Sequence, residues 1–290
     1  MSVDKLQNKI RKTKNPIVVD FSMLKEHIPQ KYFEDNDDFV LAYASYAKSI
    51  LKTLESTVPA VRFNFTMLAL YGSKGVDALA DLLTTAKSYG YYVILDVPEA
   101  LSKQNAKYTA ELLFGQQTQW EFDGLVISSY IGSDGIAPYA DQLRNSEKDL
   151  FVVTRTSNRS AAEMQDLLTG SRLAHVAMAD IVYRHAPAFV ERCGYSRIGL
   201  VAAASSADSL RTLRGKYKDM FFLLDGSDYP NANAKNCSNA FDKLGHGAIA
   251  CIGLSVTAAW QTDETNEPLD AALHAVERMK KNISRYVTIL

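Results

Sequence analysis

A closed barrel of eight parallel strands ringed by helices is the fold this sequence predicts, and three observations point to it. Eight short apolar runs recur along 290 residues, a length that suits an α/β barrel, which takes about 250. The runs are continuously apolar rather than alternating, the mark of strands buried on both faces. The turn after the first run, Asp20-Phe21-Ser22-Met23-Leu24-Lys25, contains no glycine, whereas an open nucleotide-binding sheet needs a glycine-rich turn there. The expectation is therefore a single (β/α)8 TIM-barrel domain over 1–290, with an N-terminal extension and a C-terminal helix.

In chain order the predicted strands are 16–21 (PIVVDF), 60–65 (AVRFNF), 91–97 (YYVILDV) and 124–128 (GLVIS). They continue with 150–154 (LFVVT), 198–202 (IGLVA), 220–224 (MFFLL) and 248–252 (AIACI). Amphipathic stretches between them read as helices, for example 76–89 and 161–168, the second with Ser160 as its N-cap. Repeated strand-then-helix order requires parallel strands joined by crossovers. The polar stretch after Trp260 reads as a closing loop, and 269–286 as a final helix of the same domain.

Composition excludes several function classes. Hydrophobic residues make up 47% and charged residues 22%, enough core for a folded domain. A formal net charge of -1 leaves no electrostatic footprint for a nucleic acid or an anionic membrane as partner. The first residues carry scattered charges and no apolar signal core, and no apolar run approaches the ~20 residues that span a bilayer. Cys193, Cys237 and Cys251 show no Cys-x-x-Cys spacing, which argues against a disulfide framework or a zinc site. A cytoplasmic location is expected.

In such a barrel the working residues sit at the C-terminal strand ends and in the loops that follow. Those ends carry Asp20 and Ser22, Arg62, Asp96, then Ser128 to Asp134, Arg155 to Ser160, and Asp225, Gly226 and Asp228. The order of segments over residues 15–260 resembles orotidine 5'-monophosphate decarboxylase, in particular its longer bacterial form. The resemblance rests on the run VISSYIGSDGIAPY from Val126 and on RTSNRS from Arg155, where the family's serine faces a pyrimidine. Tyr71-Gly72 and the segment from Gly90 to Asp96 fit as well.

What the resemblance implies is a charged array at the ends of strands two and three, where a carboxylate crowds the substrate carboxylate and lysine protonates the carbanion. On this sequence Asp96 keeps its place. Pro98 falls on the central lysine, Leu101 on the second aspartate and Arg62 on the strand-two lysine. Arginine keeps a charge but has no easily transferred proton. The family's phosphate grip falls on Asp225-Gly226-Ser227-Asp228 and, for its arginine, on Leu254; its ribose-binding aspartate falls on Ser22. Asp96 and Arg62 are thus the catalytic candidates. Asp20, Ser22, Ser157, Asn158, Asp225, Gly226 and Asp228 are the ligand-binding candidates, with no metal and no cofactor expected.

Each candidate has a plainer reading. Asp96 pairs with Arg62, and Ser157 and Asn158 cap helices. Oxygen ligands at Asp20, Asp96, Asp225 and Asp228 suit Mg²⁺ or Ca²⁺, but Arg62 and Arg155 can neutralise them without a metal. His175 and His185 read as packed or solvated, and Cys251 as a small core residue. The expected function is a non-decarboxylating relative that binds a small molecule at the mouth or a partner subunit, as a homodimer or a mixed dimer with an intact paralogue. The alternative is a true decarboxylase making UMP in pyrimidine synthesis, with Lys103 or Lys107 as proton donor, or a barrel repurposed for other chemistry.

Overall fold

The computed structural model describes residues 2–34, 37–97, 100–115, 118–128, 130–228, 233–263, 265 and 267–290. Eight parallel strands close into a barrel: β1 (Ile17–Asp20), β2 (Ala60–Asn64), β3 (Tyr92–Asp96), β4 (Gly124–Ser128), β5 (Asp149–Val153), β6 (Ser196–Ala203), β7 (Met220–Asp225) and β8 (Ala248–Ile252). Neighbours in sequence are neighbours in space, and β8 closes the ring on β1 through Ile17↔Ala250, Val18↔Cys251 and Val19↔Ile252. Valine, isoleucine and leucine dominate these runs and are buried, as strands covered on both faces require.

Two glycines on neighbouring strands make room for one large ring in the barrel. Phe151 on β5 is almost wholly buried, and the strands on either side yield to it with glycine. A Cβ at Gly124 would stand 2.8 Å from the Phe151 ring, and one at Gly199 2.8 Å from the ring and 2.5 Å from the Phe221 carbonyl oxygen. Any side chain at either position would force that ring or the backbone to move.

Helices cover the outside, among them Phe39–Leu54, Gly72–Ser88, Lys103–Phe114, Ala174–Tyr183, Ala207–Lys216 and Pro268–Ser284. The first of these begins where the Asp38 side chain accepts a hydrogen bond from the Leu41 N–H at 3.1 Å. The N-terminal extension is itself a helix, Ser2–Thr13, with Val3, Leu6 and Ile10 buried along one face. It seals the barrel floor: Ser2 Oγ donates to the Asp123 carbonyl, and Gln7 Oε1 accepts from the Gly247 N–H at 3.1 Å. Both partners lie in loops that lead into strands, at the end opposite the mouth.

One predicted element is corrected. Residues 161–168 do not form an amphipathic helix, and Ser160 does not cap one. A short 3-10 turn, Arg159–Glu163, leads instead into a small antiparallel ribbon, Leu168–Thr169 paired with Arg172–Leu173. Two features outweigh the helical pattern. Gly170 at φ +66° makes the tight turn between the two ribbon strands. Gln165 is drawn into tertiary bonds, its side chain accepting from the Thr156 N–H at 2.8 Å and its carbonyl from the His175 N–H at 2.9 Å.

Candidate functional site

Arg62 stands at the centre of the mouth. Strand alternation points Arg62 and Asn64 to the same side of β2, and the β1–β2 register sets Asp20 directly across from Arg62. The guanidinium reaches three carboxylates on three other strands. Its Nη2 pairs with Asp96 on β3, its Nη1 lies 2.7 Å from Asp225 on β7, and its Nε lies 3.4 Å from Asp20 on β1. Nη1 also approaches the Cys251 Sγ of β8 at 3.5 Å. One side chain therefore ties β2 to four other strands.

Arg62 is 8% exposed. Burial opposes its charge, but the carboxylates of Asp96, Asp20 and Asp225 outweigh burial and hold its pKa further above the ordinary guanidinium value. Burial also raises the Asp96 carboxyl, against the pull of Arg62, with Asp20 and Asp225 adding to the rise. Burial drives the Cys251 thiol well up despite Arg62, so it stays protonated. One positive charge facing three acids leaves the site negative.

The cavity above this cluster has a volume of about 460 Å³. Asp20, Ser22, Arg62, Asp96, Asp225, Gly226 and Asp228, all singled out by sequence, line it. Asp20 is also fixed locally, since its Oδ1 accepts from the Ser22 N–H at 2.7 Å. Gly226 at φ +73° turns the chain out of β7 and carries Asp228 to the mouth of β8. There Asp228 accepts from the Gly253 N–H at 2.5 Å and from the Ser255 hydroxyl.

Other candidates are placed differently. Ser157 Oγ donates to the Asp225 carbonyl at 2.6 Å, and Asn158 Oδ1 accepts from Thr156 Oγ1 at 2.5 Å; neither is part of the cavity lining. Asn158 sits at the N-cap of the 3-10 turn without a side-chain cap bond. Arg155 does not neutralise the mouth, contrary to expectation. It forks onto Asp166 at 3.0 and 2.8 Å, and His175 Nδ1 approaches the same carboxylate at 3.3 Å. His175 is packed, its other ring nitrogen 3.1 Å from Ser209 Oγ.

Lys103 and Lys107 are both exposed and lie outside the cavity lining; Lys103 pairs with Asp134 at 3.2 Å. Pro98 lies outside the described residues, as do Tyr229 to Ala232 of the turn after β7. Among the described residues no group of three or more His, Cys, Asp or Glu is arranged to hold a metal ion. Asn64, Ser227 and Gly253, which lie at the strand ends but were not among the ligand-binding candidates, also form the cavity wall. For Asn64 a signal existed, because it lies two residues beyond Arg62 on the same strand face.

Taken together, fold and site define a (β/α)8 barrel with a cavity at the C-terminal strand ends around a buried, over-compensated arginine. Over almost its whole length this chain resembles the orotidine 5'-phosphate decarboxylases. It is 25% identical over 286 residues to the protein of that name from Clostridium novyi, covering 98% of each chain. The identity to the one from Petrotoga mobilis is also 25%, over 287 residues and 98% of each. No protein-family model matches the chain. Among solved structures, the barrel superimposes on the Plasmodium berghei orotidine 5'-monophosphate decarboxylase with a TM-score of 0.78 at 15% identity, covering 98% of both chains. Leishmania donovani OMP decarboxylase gives 0.74 at 20% identity, covering 98% of this chain and 99% of that one. At such identities the structural likeness speaks for the fold.

Proposed function

We propose that this chain is a non-decarboxylating relative of orotidine 5'-phosphate decarboxylase whose mouth binds a neutral or cationic small molecule. The observation that carries the reading is Asp228. Its carboxylate takes the Gly253 N–H and the Ser255 hydroxyl, donors of the kind a phosphate requires at the end of β8. A unit negative charge brought within ~4 Å of that carboxylate meets about 4 kcal/mol of repulsion at an effective dielectric of ~20. Leu254, at the position the resemblance gives to a phosphate-binding arginine, offers nothing to offset it. Arg62 is held by three acids and has no proton to spare for a carbanion.

A partner subunit belongs to the same reading, as a homodimer or a mixed dimer with an intact paralogue in the cytoplasm. Leu101 is 79% exposed, with Tyr108, Leu112 and Tyr130 also exposed, which supports an apolar face that a second subunit covers.

The second reading, an active decarboxylase making UMP, is favoured by relatives of that name aligning over 98% of the chain. Its proton donor would be Lys103 or Lys107. Turnover of orotidine 5'-monophosphate by the purified protein separates the two. The proposal expects none above background and no micromolar binding of UMP by calorimetry. Turnover within about a hundredfold of an ordinary enzyme establishes the second reading instead.

A further inference from the structure

A second cavity, of about 490 Å³, lies on the other side of β8. Cys251 faces the mouth, while Ala250 and Ile252, one residue to either side, face this cleft. Among the described residues, the layer outside β7 and β8 is thin. The helix that follows β7, Ala234–Ser238, has only five residues, against seventeen in Gly72–Ser88 after β2. It cannot cover the strands alone, and Pro268–Ser284 closes the far wall with Met279, Asn282 and Ile283.

The two cavities differ in sign. Four aspartates and one arginine line the mouth, whereas the cleft is lined by Lys235 and Arg285 and by no acid among the described residues. Lys235 and Arg285 are both exposed, and neither has an acidic partner among the described residues. The floor is apolar, and the buried Ser227 Oγ in its wall lies beside the Cys237 thiol. Apolar depth with a cationic rim suits one ligand class.

We infer that the cleft between β8, Ala234–Ser238 and Pro268–Ser284 binds a small amphiphilic anion, an aliphatic body carrying one carboxylate. The body displaces water from Ile252, Met279 and Ile283, and the carboxylate sits between Lys235 and Arg285. Octanoate is the probe, titrated into the full-length protein by calorimetry, with octylammonium as its charge-reversed counterpart. One-to-one octanoate binding is expected, with octylammonium weaker by about tenfold or more. The double variant Lys235→Glu/Arg285→Glu changes two exposed side chains, so it should keep its melting temperature and lose octanoate affinity by about tenfold or more. Asn282→Trp, which fills the cleft from its far wall without altering charge, should abolish binding. Failure of the unaltered protein to bind octanoate, equal binding of octylammonium, or unchanged binding by the charge-reversed variant overturns the inference.

Discussion

The mouth and the floor of the barrel use the same ingredients, an arginine among aspartates, with opposite outcomes. At the mouth Arg62 has more acids than it can neutralise, and the surplus faces a cavity. On the floor Asp149, at the start of β5, is 1% exposed and has too little compensation. Tyr92 OH donates to its Oδ2 at 2.5 Å, but Oδ1 has no hydrogen-bond partner among the described residues. The nearest guanidinium, Arg197, is 3.6 Å away and gives its hydrogen bonds to the carbonyls of Leu143, Ser146 and Lys148. Burial, set against Tyr92 and Arg197, pushes the Asp149 carboxyl up to about 7. Surplus acid beside open space is a binding feature; under-compensated acid beneath a sealing helix is a stability liability. Charge composition alone does not distinguish them, and access to solvent does.

The largest test of this contrast is Arg62→Met. Removing one partner of a buried ionic cluster costs roughly 3–5 kcal/mol, and here three carboxylates would be left facing one another. Urea denaturation should show a midpoint lowered accordingly, with Arg62→Lys intermediate, because an ammonium cannot fork toward three acids at once. An unchanged midpoint for Arg62→Met would mean that the mouth is not held by this residue.

A smaller effect is expected on the floor. Free Asp titrates near 3.8 and Asp149 in the fold at about 7, so between these values the folded chain keeps a proton that the unfolded chain has lost. The protonated floor is the stable one. Its contribution is whole below pH 4, falls as pH rises toward 7, and is gone above it. Asp149→Asn stays neutral throughout. Relative to the variant, the unaltered protein should therefore lose on the order of 2–4 kcal/mol of stability between pH 4 and pH 8. Parallel pH profiles for the two proteins would show that Asp149 is compensated after all.

How much of this was legible in the sequence follows the range of the interactions. β4 and β8 match their predicted bounds, because a glycine or polar residue brackets each apolar run. β6 extends back to Ser196 and Arg197, which no hydrophobic pattern reveals, since those polar residues are satisfied by distant carbonyls. The Asp96–Arg62 pair could be read because adjacent strands carry it. Arg155 was misplaced because its partner Asp166 belongs to an irregular segment whose path depends on Gln165 and His175. Likewise, nothing local tells that Asp228 reaches Gly253, 25 residues away.

That last contact supplies the finest test of the mouth's charge preference. In Asp228→Gly/Leu254→Arg the Gly253 N–H and the Ser255 hydroxyl are released, a negative charge is removed, and a positive one is placed where Leu254 now lines the cavity. Two opposing consequences follow. Loss of the Asp228 anchor should cost stability of about 1 kcal/mol, the usual size of a lost capping contact. UMP affinity should rise by about tenfold to a hundredfold, less than the bare Coulomb term because Asp20, Asp96 and Asp225 remain around Arg62 and solvent screens the open cavity. The gain should shrink as salt is raised, since its source is charge rather than shape. Calorimetry with UMP at low and high salt reads both effects. If UMP binds the double variant no better than the unaltered protein at either salt concentration, Asp228 is a structural strap only, and the mouth's preference is set by the Arg62 cluster beneath it.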